Sequence, residues 1–302
     1  PTVVLKGASA ATNYPRPELR SMGDIDIIVL PEDFERAKSV LSEAGFAAKK
    51  EQLDRHHAFT DENGCEIELH KFFSASRIKS TNEYLDNLIY NGIRRREFAR
   101  IEKYSFPILP PDAEAGVLVS HINQHIIYGI GLRQIIDWAL FVQNKVDDKA
   151  WDNGIHELLD TLQMTTLAKV SVAMCKKFFH ICTRISWCDD VDENLCDRLM
   201  EYLLHRGNFG NAEQYGAKGT TNVLVQFSSI KKTLLYFQKG GEAHWKACQR
   251  HPILKPLAWA YQLGHVTRMV IRNKVGISTM IKSGKTAQIT YDLMQKLGVT
   301  NY

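Results

Sequence analysis

The segment Gly23-Asp24-Ile25-Asp26-Ile27 places two carboxylates two residues apart in a run of β-branched residues. On a strand, side chains at this spacing point to one face, roughly 6.5–7 Å apart along the chain. Asp24 and Asp26 therefore project together, while Ile25 and Ile27 pack into the opposite face. Two acids on one face repel unless a cation lies between them. Mg²⁺ suits the position, because it takes carboxylates, water and substrate phosphates as ligands. A third acid follows in Cys65-Glu66-Ile67-Glu68-Leu69-His70, where Glu66, Glu68 and His70 share a face. Three carboxylates on adjacent strands can hold two ions roughly 3.5–4 Å apart, which clamp the attacking and leaving oxygens of a displacement at phosphorus.

A phosphate needs positive charge and backbone donors, and the upstream residues supply both. Lys6-Gly7 follows the apolar run Val3-Val4-Leu5 and precedes Ala8-Ser9-Ala10-Ala11, a small-residue helix start. Gly7 would let the backbone approach a phosphate, the helix start offers free N–H groups, and Ser9 adds a hydroxyl. Arg20 precedes the acid pair, where a guanidinium would pair with phosphate oxygens, and Gly23 leads directly into Asp24.

These groups must be positioned by strands and a helix. Val3–Leu5 and Ile25–Leu30 read as strands, and Tyr14-Pro15-Arg16-Pro17 breaks the segment between them. Pro31-Glu32-Asp33 opens a helix from about Phe34 to Gly45, with Ala37, Val40, Leu41 and Ala44 on one face. Two strands around Ala58–Thr60 and Glu66–Leu69 flank Asp61-Glu62-Asn63-Gly64, a hairpin signal. The pattern is a small mixed α/β sheet. Beyond the prolines at 107, 110 and 111 the texture turns helical: Glu114–Tyr128, Leu132–Gln143, Trp151–Phe179, Asn194–His205 and Val223–Phe237, some with interruptions, and then Pro256–Ile271. The fold class expected is α+β, with residues 1–108 as a sheet domain and 109–302 as a helical one.

Composition excludes several classes. At 302 residues, 44% hydrophobic and 24% charged, the chain is globular rather than disordered. A net charge of +4 tolerates anionic ligands without demanding nucleic acid. Six cysteines stand with no Cys-x-x-Cys spacing, which argues against a zinc or thioredoxin-type site and for buried or free thiols of a reducing compartment. No apolar run reaches membrane-spanning length, and the N-terminus is not a signal peptide. The expected location is cytoplasmic. The start at Pro1, without Met, reads as a fragment or processed form.

Together, Leu5-Lys6-Gly7, Tyr14-Pro15, Arg20-x-x-Gly23-Asp24-Ile25-Asp26 and Glu68-Leu69-His70 resemble the nucleotidyltransferases of the DNA polymerase β superfamily. More narrowly, they are similar to a family in it that carries Lys-Gly where relatives have Gly-Ser. His121-x-x-x-His125, Leu132–Trp138 and Pro252–Tyr261 are similar to that family's helical region. The resemblance implies a two-metal, Mg²⁺-dependent transfer of a nucleoside monophosphate from a nucleoside triphosphate, with release of pyrophosphate. It implies Asp24, Asp26 and Glu68 as metal ligands and catalytic residues, Glu66 being the rival third acid. It implies Lys6, Gly7, Ser9, Arg20, Gly23 and His70 on the substrate side. The acceptor stays open among small molecule, protein and nucleic acid. A non-catalytic nucleotide-binding scaffold and a metal-dependent phosphodiesterase are the alternatives.

His56, His57 and His70 gather at the hairpin. A two-residue Asn63-Gly64 turn sets His57 opposite His70, and a four-residue turn sets it opposite Glu68. His121 and His125, one helical turn apart without a third ligand, read as a buried polar contact, and Arg133 with Asp137 as an intrahelical ion pair. Ser283-Gly284-Lys285-Thr286 is no P-loop, since Thr279 stands where that motif needs glycine.

Overall fold

A computed structural model of the chain describes residues 1–49, 55–74, 78–127, 130–206, 230–272 and 289–299. The fold is α+β, a small mixed sheet followed by a mostly helical region. The described residues divide into two compact units, one of 1–206 with 297–299 and one of 230–272 with 289–296.

Five strands form the sheet of the first unit in the order β1-β2-β5-β4-β3. They are β1 (Thr2–Leu5), β2 (Ile25–Val29), β3 (Ala47–Ala48), β4 (His56–Thr60) and β5 (Glu66–His70). β2 runs antiparallel to β1 and parallel to β5, and the parallel register sets Asp26 beside Glu68. Ile25, Ile27 and Val29 lie on the face covered by helix α2 (Phe34–Glu43). There they join Phe34, Phe59, Ile67 and Leu69 in one hydrophobic cluster. Period-two alternation thus separates an apolar face from an acid face. Along α2 the packed seam is Phe34, Ala37 and Leu41; Val40, expected on it, lies one step around the helix and is 55% exposed. Pro31 opens the turn into α2. The helix stops where Gly45 takes φ 91° and Phe46 N–H returns to Leu41 O, a glycine-dependent end.

The β4–β5 hairpin takes neither of the two expected registers. Thr60 pairs with Glu66 and His56 with His70, leaving a three-residue loop, Glu62–Gly64, closed by Asp61 and Cys65. Asp61 Oδ1 accepts from the N–H groups of Asn63 and Cys65, and Gly64 sits at φ 81°. The aspartate's own side chain builds the turn, so the register shifts by one and His56 rather than His57 faces His70.

Between strand and helical regions come two elements absent from the sequence expectations. They are helix α3 (Lys79–Arg94) and a separate two-stranded ribbon of β6 (Glu97–Ile101) and β7 (Tyr104–Ile108). β7 ends at Ile108 and α4 (Pro111–His125) begins at Pro111, where the prolines mark the change. α4, α5 (Leu132–Lys145), α8 (Thr165–Phe179) and α9 (Glu193–Arg206) pack in the same compact unit as the sheet. Trp138 on α5 is fully buried and donates its indole N–H to Ala168 O. The expected helix 151–179 is interrupted. After α6 (Asp148–Ala150), Gly154 at φ 130° and Gln163 at φ 58° break it on either side of α7 (His156–Thr161).

In the second unit, helices Ile230–His244 and Ala258–Arg272 pair closely. A Cβ on Gly241 would lie 1.8 Å from Ala258 O, so glycine is required there. Residues 223–229 of the expected helix and the Ser283–Thr286 segment lie outside the described residues. Among the described residues, no helix is long and apolar enough to cross a membrane. The described cysteines are free thiols.

Candidate active site

The acid face of the sheet gathers Asp24, Asp26 and Glu68, with one carboxylate oxygen from each lying within 4.8 Å of the others. Asp24 sits exposed at the strand's start, and Asp26 is 4% exposed beneath it. The parallel β2–β5 register brings Glu68 alongside. Glu66 faces outward instead and pairs with Lys49.

Electrostatics differ sharply within the trio. Partial burial, then the charges of Asp26 and Glu68, push the Asp24 carboxyl above the usual range. For Asp26, burial alone would raise it. The Lys6 ammonium and a hydrogen bond from His70 more than reverse this and hold the carboxyl well below. The hydrogen bond from His70 lowers Glu68 as well, against its burial. Lys6 also lowers Asp24, yet too weakly to offset its burial and the two neighbouring carboxylates.

Those partners converge on one oxygen. Lys6 Nζ and His70 Nε2 each stand 2.9 Å from Asp26 Oδ1. Lys6 is the residue between β1 and α1 (Gly7–Ala11), at φ 48° and ψ −129°, a conformation unfavourable for any residue but glycine. The strained turn directs its amine inward, where it also lies 5.9 Å from the centre of the Phe73 ring. Gly7 keeps the turn compact: a Cβ there would meet Met22 Cε at 3.2 Å. A Cβ at Gly23 would meet open space, so no close packing demands glycine there.

Two other residues expected at the phosphate are engaged elsewhere. Ser9 Oγ donates to the buried Glu114 Oε1 at 2.6 Å. Burial pushes the Glu114 carboxyl up to about 7. Arg20 clasps Asp137 through two bonds, Nε to Oδ1 at 2.8 Å and Nη2 to Oδ2 at 2.7 Å. Tyr14 donates to the same Oδ1 at 2.8 Å. Asp137 therefore bonds the strand lead-in rather than Arg133, which instead donates to Ser21 O and Oγ. The guanidinium acts as a latch that fixes the lead-in to β2 against α5.

Imidazoles ring the acid face. His56 Nε2 is 3.7 Å from Glu68 Oε1, and the His56 and His70 ring centres are 4.9 Å apart. Burial lowers the basicity of His56, while His70, buried yet bonded to Asp26 and Glu68, is raised. His121 and His125 make an edge-on ring pair at 4.7 Å, and both feel the charges of Lys6 and Asp26. The sequence shows this pair as neighbours on α4. Nothing in the spacing ties them to an acid strand almost a hundred residues earlier.

Residues 1–180 match the profile of a family described as uncharacterised nucleotidyltransferase, and the chain belongs to that family. No curated protein matches the chain.

Proposed function

We propose that this nucleotidyltransferase moves a nucleoside monophosphate from a nucleoside triphosphate to an acceptor hydroxyl, using divalent cations held by Asp24, Asp26 and Glu68. Membership of the family makes the chain an enzyme of nucleotidyl transfer, acceptor open. The observation that carries the finer reading is the convergence of three carboxylates from β2 and β5 within 4.8 Å. Burial first and then repulsion from Asp26 and Glu68 raise the Asp24 carboxyl, and a metal ion between the acids would offset both. The all-oxygen donor set fits Mg²⁺. Bound there, such ions would neutralise the phosphates and lower the pKa of an attacking hydroxyl.

The chain's own residues supply the rest. Lys6, bonded to Asp26 by an amine on a flexible stem, would pair with the triphosphate's phosphate oxygens. Gly7 keeps the backbone beside it open to a phosphate. In the reaction the acceptor oxygen bonds to the α-phosphorus, the bond to the bridging oxygen breaks, and pyrophosphate carries away that electron pair. Glu68, half-buried beside Asp26, receives the acceptor's proton or orients the hydroxyl that loses it. Arg20 and Ser9 serve as positioning residues, holding β2 and α1 to α5 and α4. Helices α4 and α5, in the same unit as the sheet, shape the acceptor side.

Incubating the chain with each nucleoside triphosphate, Mg²⁺ and candidate acceptors, followed by mass spectrometry, tests this. The expected product is an acceptor heavier by one nucleoside monophosphate. Transfer that survives Asp24→Asn combined with Asp26→Asn would sink the mechanism.

A further inference from the structure

Overlapping the oxygen trio at Glu68, a second set of ligating atoms meets at the same strand. One ring nitrogen of His56, one of His70 and a Glu68 carboxylate oxygen lie within 4.8 Å of one another. We propose that His56, Glu68 and His70 form a nitrogen-rich site for a transition-metal cation of the Mn²⁺, Co²⁺ or Zn²⁺ class. Glu68 bridges it to an oxygen-only pole at Asp24 and Asp26. This rests on the preceding reading only for the bridge, since occupation of the site needs neither nucleotide nor acceptor.

Three observations carry the assignment. First, the register of the β4–β5 hairpin sets His56 directly opposite His70 with Glu68 on the same face, so the backbone fixes the set. The three-residue loop that creates this register is fastened by the Asp61 side chain. Second, both imidazoles turn Nε2 toward Glu68, His56 to Oε1 at 3.7 Å and His70 to Oε2 at 3.4 Å. The first exceeds a hydrogen bond and the second is at the long limit of one. Metal–ligand bonds of about 2.0–2.2 Å at a tetrahedral angle separate two ligands by roughly 3.4 Å, close to the spacing found. Third, the side chains are sheltered, His56 at 12% and His70 at 7% exposed, with Glu68 at 29% as the opening. One sheltered pole and one exposed edge leave coordination positions for water or substrate.

Donor type then selects the ion. Imidazole nitrogen suits Zn, Co, Ni and Cu, and to a lesser degree Mn, whereas Mg²⁺ prefers oxygen. The two ends of the acid face thus differ in chemistry, one all oxygen and one two-thirds nitrogen. His70 Nε2 also approaches Asp26 Oδ1 at 2.9 Å, so loading the nitrogen pole exchanges that hydrogen bond for a metal bond.

Cobalt titration of the chelator-stripped, dialysed full chain tests the site, read by visible absorption and calorimetry. One Co²⁺ per chain is expected, with ligand-field bands of a mixed nitrogen and oxygen site that excess Mg²⁺ does not erase. Affinity should fall by more than about tenfold in His56→Gln and in His70→Gln, yet by less than about threefold in Asp24→Asn. Melting curves of the metal-free variants check folding, and His56→Asn replaces His56→Gln if the latter does not keep the wild-type melt. Loss of binding in Asp24→Asn but not in the histidine variants would put the ion on the oxygen trio and overturn the proposal. Equal displacement by Mg²⁺, or no saturable cobalt binding, would do the same. Because binding is read without nucleotide or acceptor, a failure to transfer nucleotide leaves this inference standing. A failure to bind cobalt likewise leaves the transfer reading standing.

Discussion

The Arg20–Asp137–Tyr14 latch and the Lys6–Asp26–His70 centre are both buried ionic clusters in the sheet-bearing unit, yet they end in opposite states. In the latch, each Asp137 oxygen accepts from Arg20, the guanidinium fork is matched to the carboxylate, and Tyr14 adds a third bond. Both side chains of the ion pair are at most 6% exposed. In the centre, Lys6 and His70 crowd one oxygen of Asp26, while Asp24 and Glu68 stand nearby with charge left over. A buried charge network that is complete rigidifies its surroundings, and one that is incomplete has capacity for a ligand. The contrast separates scaffold from site more clearly than burial does.

Neutralising Asp24 gives the sharpest test of that contrast. Asp24→Asn should lower transfer on the order of 10³-fold, by comparison with the loss of other transition-state-stabilising groups. Its melting temperature should hold or rise, because repulsion from Asp26 and Glu68 disappears. A variant that loses both activity and stability would show that Asp24 belongs to the scaffold. Asp137→Ala should behave in the reverse sense. Stripping the carboxylate from a buried Arg20 should cost about 3–5 kcal/mol in denaturant melts, with a smaller change in the turnover of folded protein.

Glu114 tests an intermediate case, a buried acid with one hydroxyl partner. Its folded pKa of about 7 lies above the ordinary glutamate value of 4.5, so the folded state binds the proton more tightly. Stability should therefore fall as pH rises from about 4.5 to about 7, then level off. Glu114→Gln should remove that slope and stabilise the protein at pH 8 by up to about 3 kcal/mol, read from thermal melts across pH. A wild-type curve flat over this window would contradict the assignment. The smallest effect is expected at Glu66, whose pairing with Lys49 is exposed. Glu66→Gln should change stability by less than about 1 kcal/mol and leave transfer unaltered, whereas Glu68→Gln should abolish it.

Local chemistry made the centre of the site legible in the sequence. Alternation in Ile25–Val29 and Glu66–His70 separates acid from apolar faces within a few residues, and the parallel pairing of those strands completes the trio. The partners of Ser9 and Arg20 were not legible, because they stand 105 and 117 residues away on α4 and α5. The hairpin register depended on one side chain, Asp61, accepting two backbone bonds that no spacing rule shows. The β6–β7 ribbon was hidden for a different reason. It is largely exposed, so its alternation is weak, and Pro107 within β7 reads as a breaker although it is tolerated in an isolated pair. Helix α3 was also missed, although Leu85, Ile89 and Ile93 form a regular buried stripe.

The left-handed backbone at Lys6 bears on how relatives of this chain could be sorted. Its conformation costs about 1–3 kcal/mol for any side chain, and glycine would relieve that cost while removing the amine. A descendant that no longer needed the amine would gain stability by mutating to glycine, and drift would find that change easily. Lysine kept at this turn despite that cost points to a use for the amine in this chain. Relatives with glycine there but an intact acid pair become the natural test of whether binding can outlast transfer.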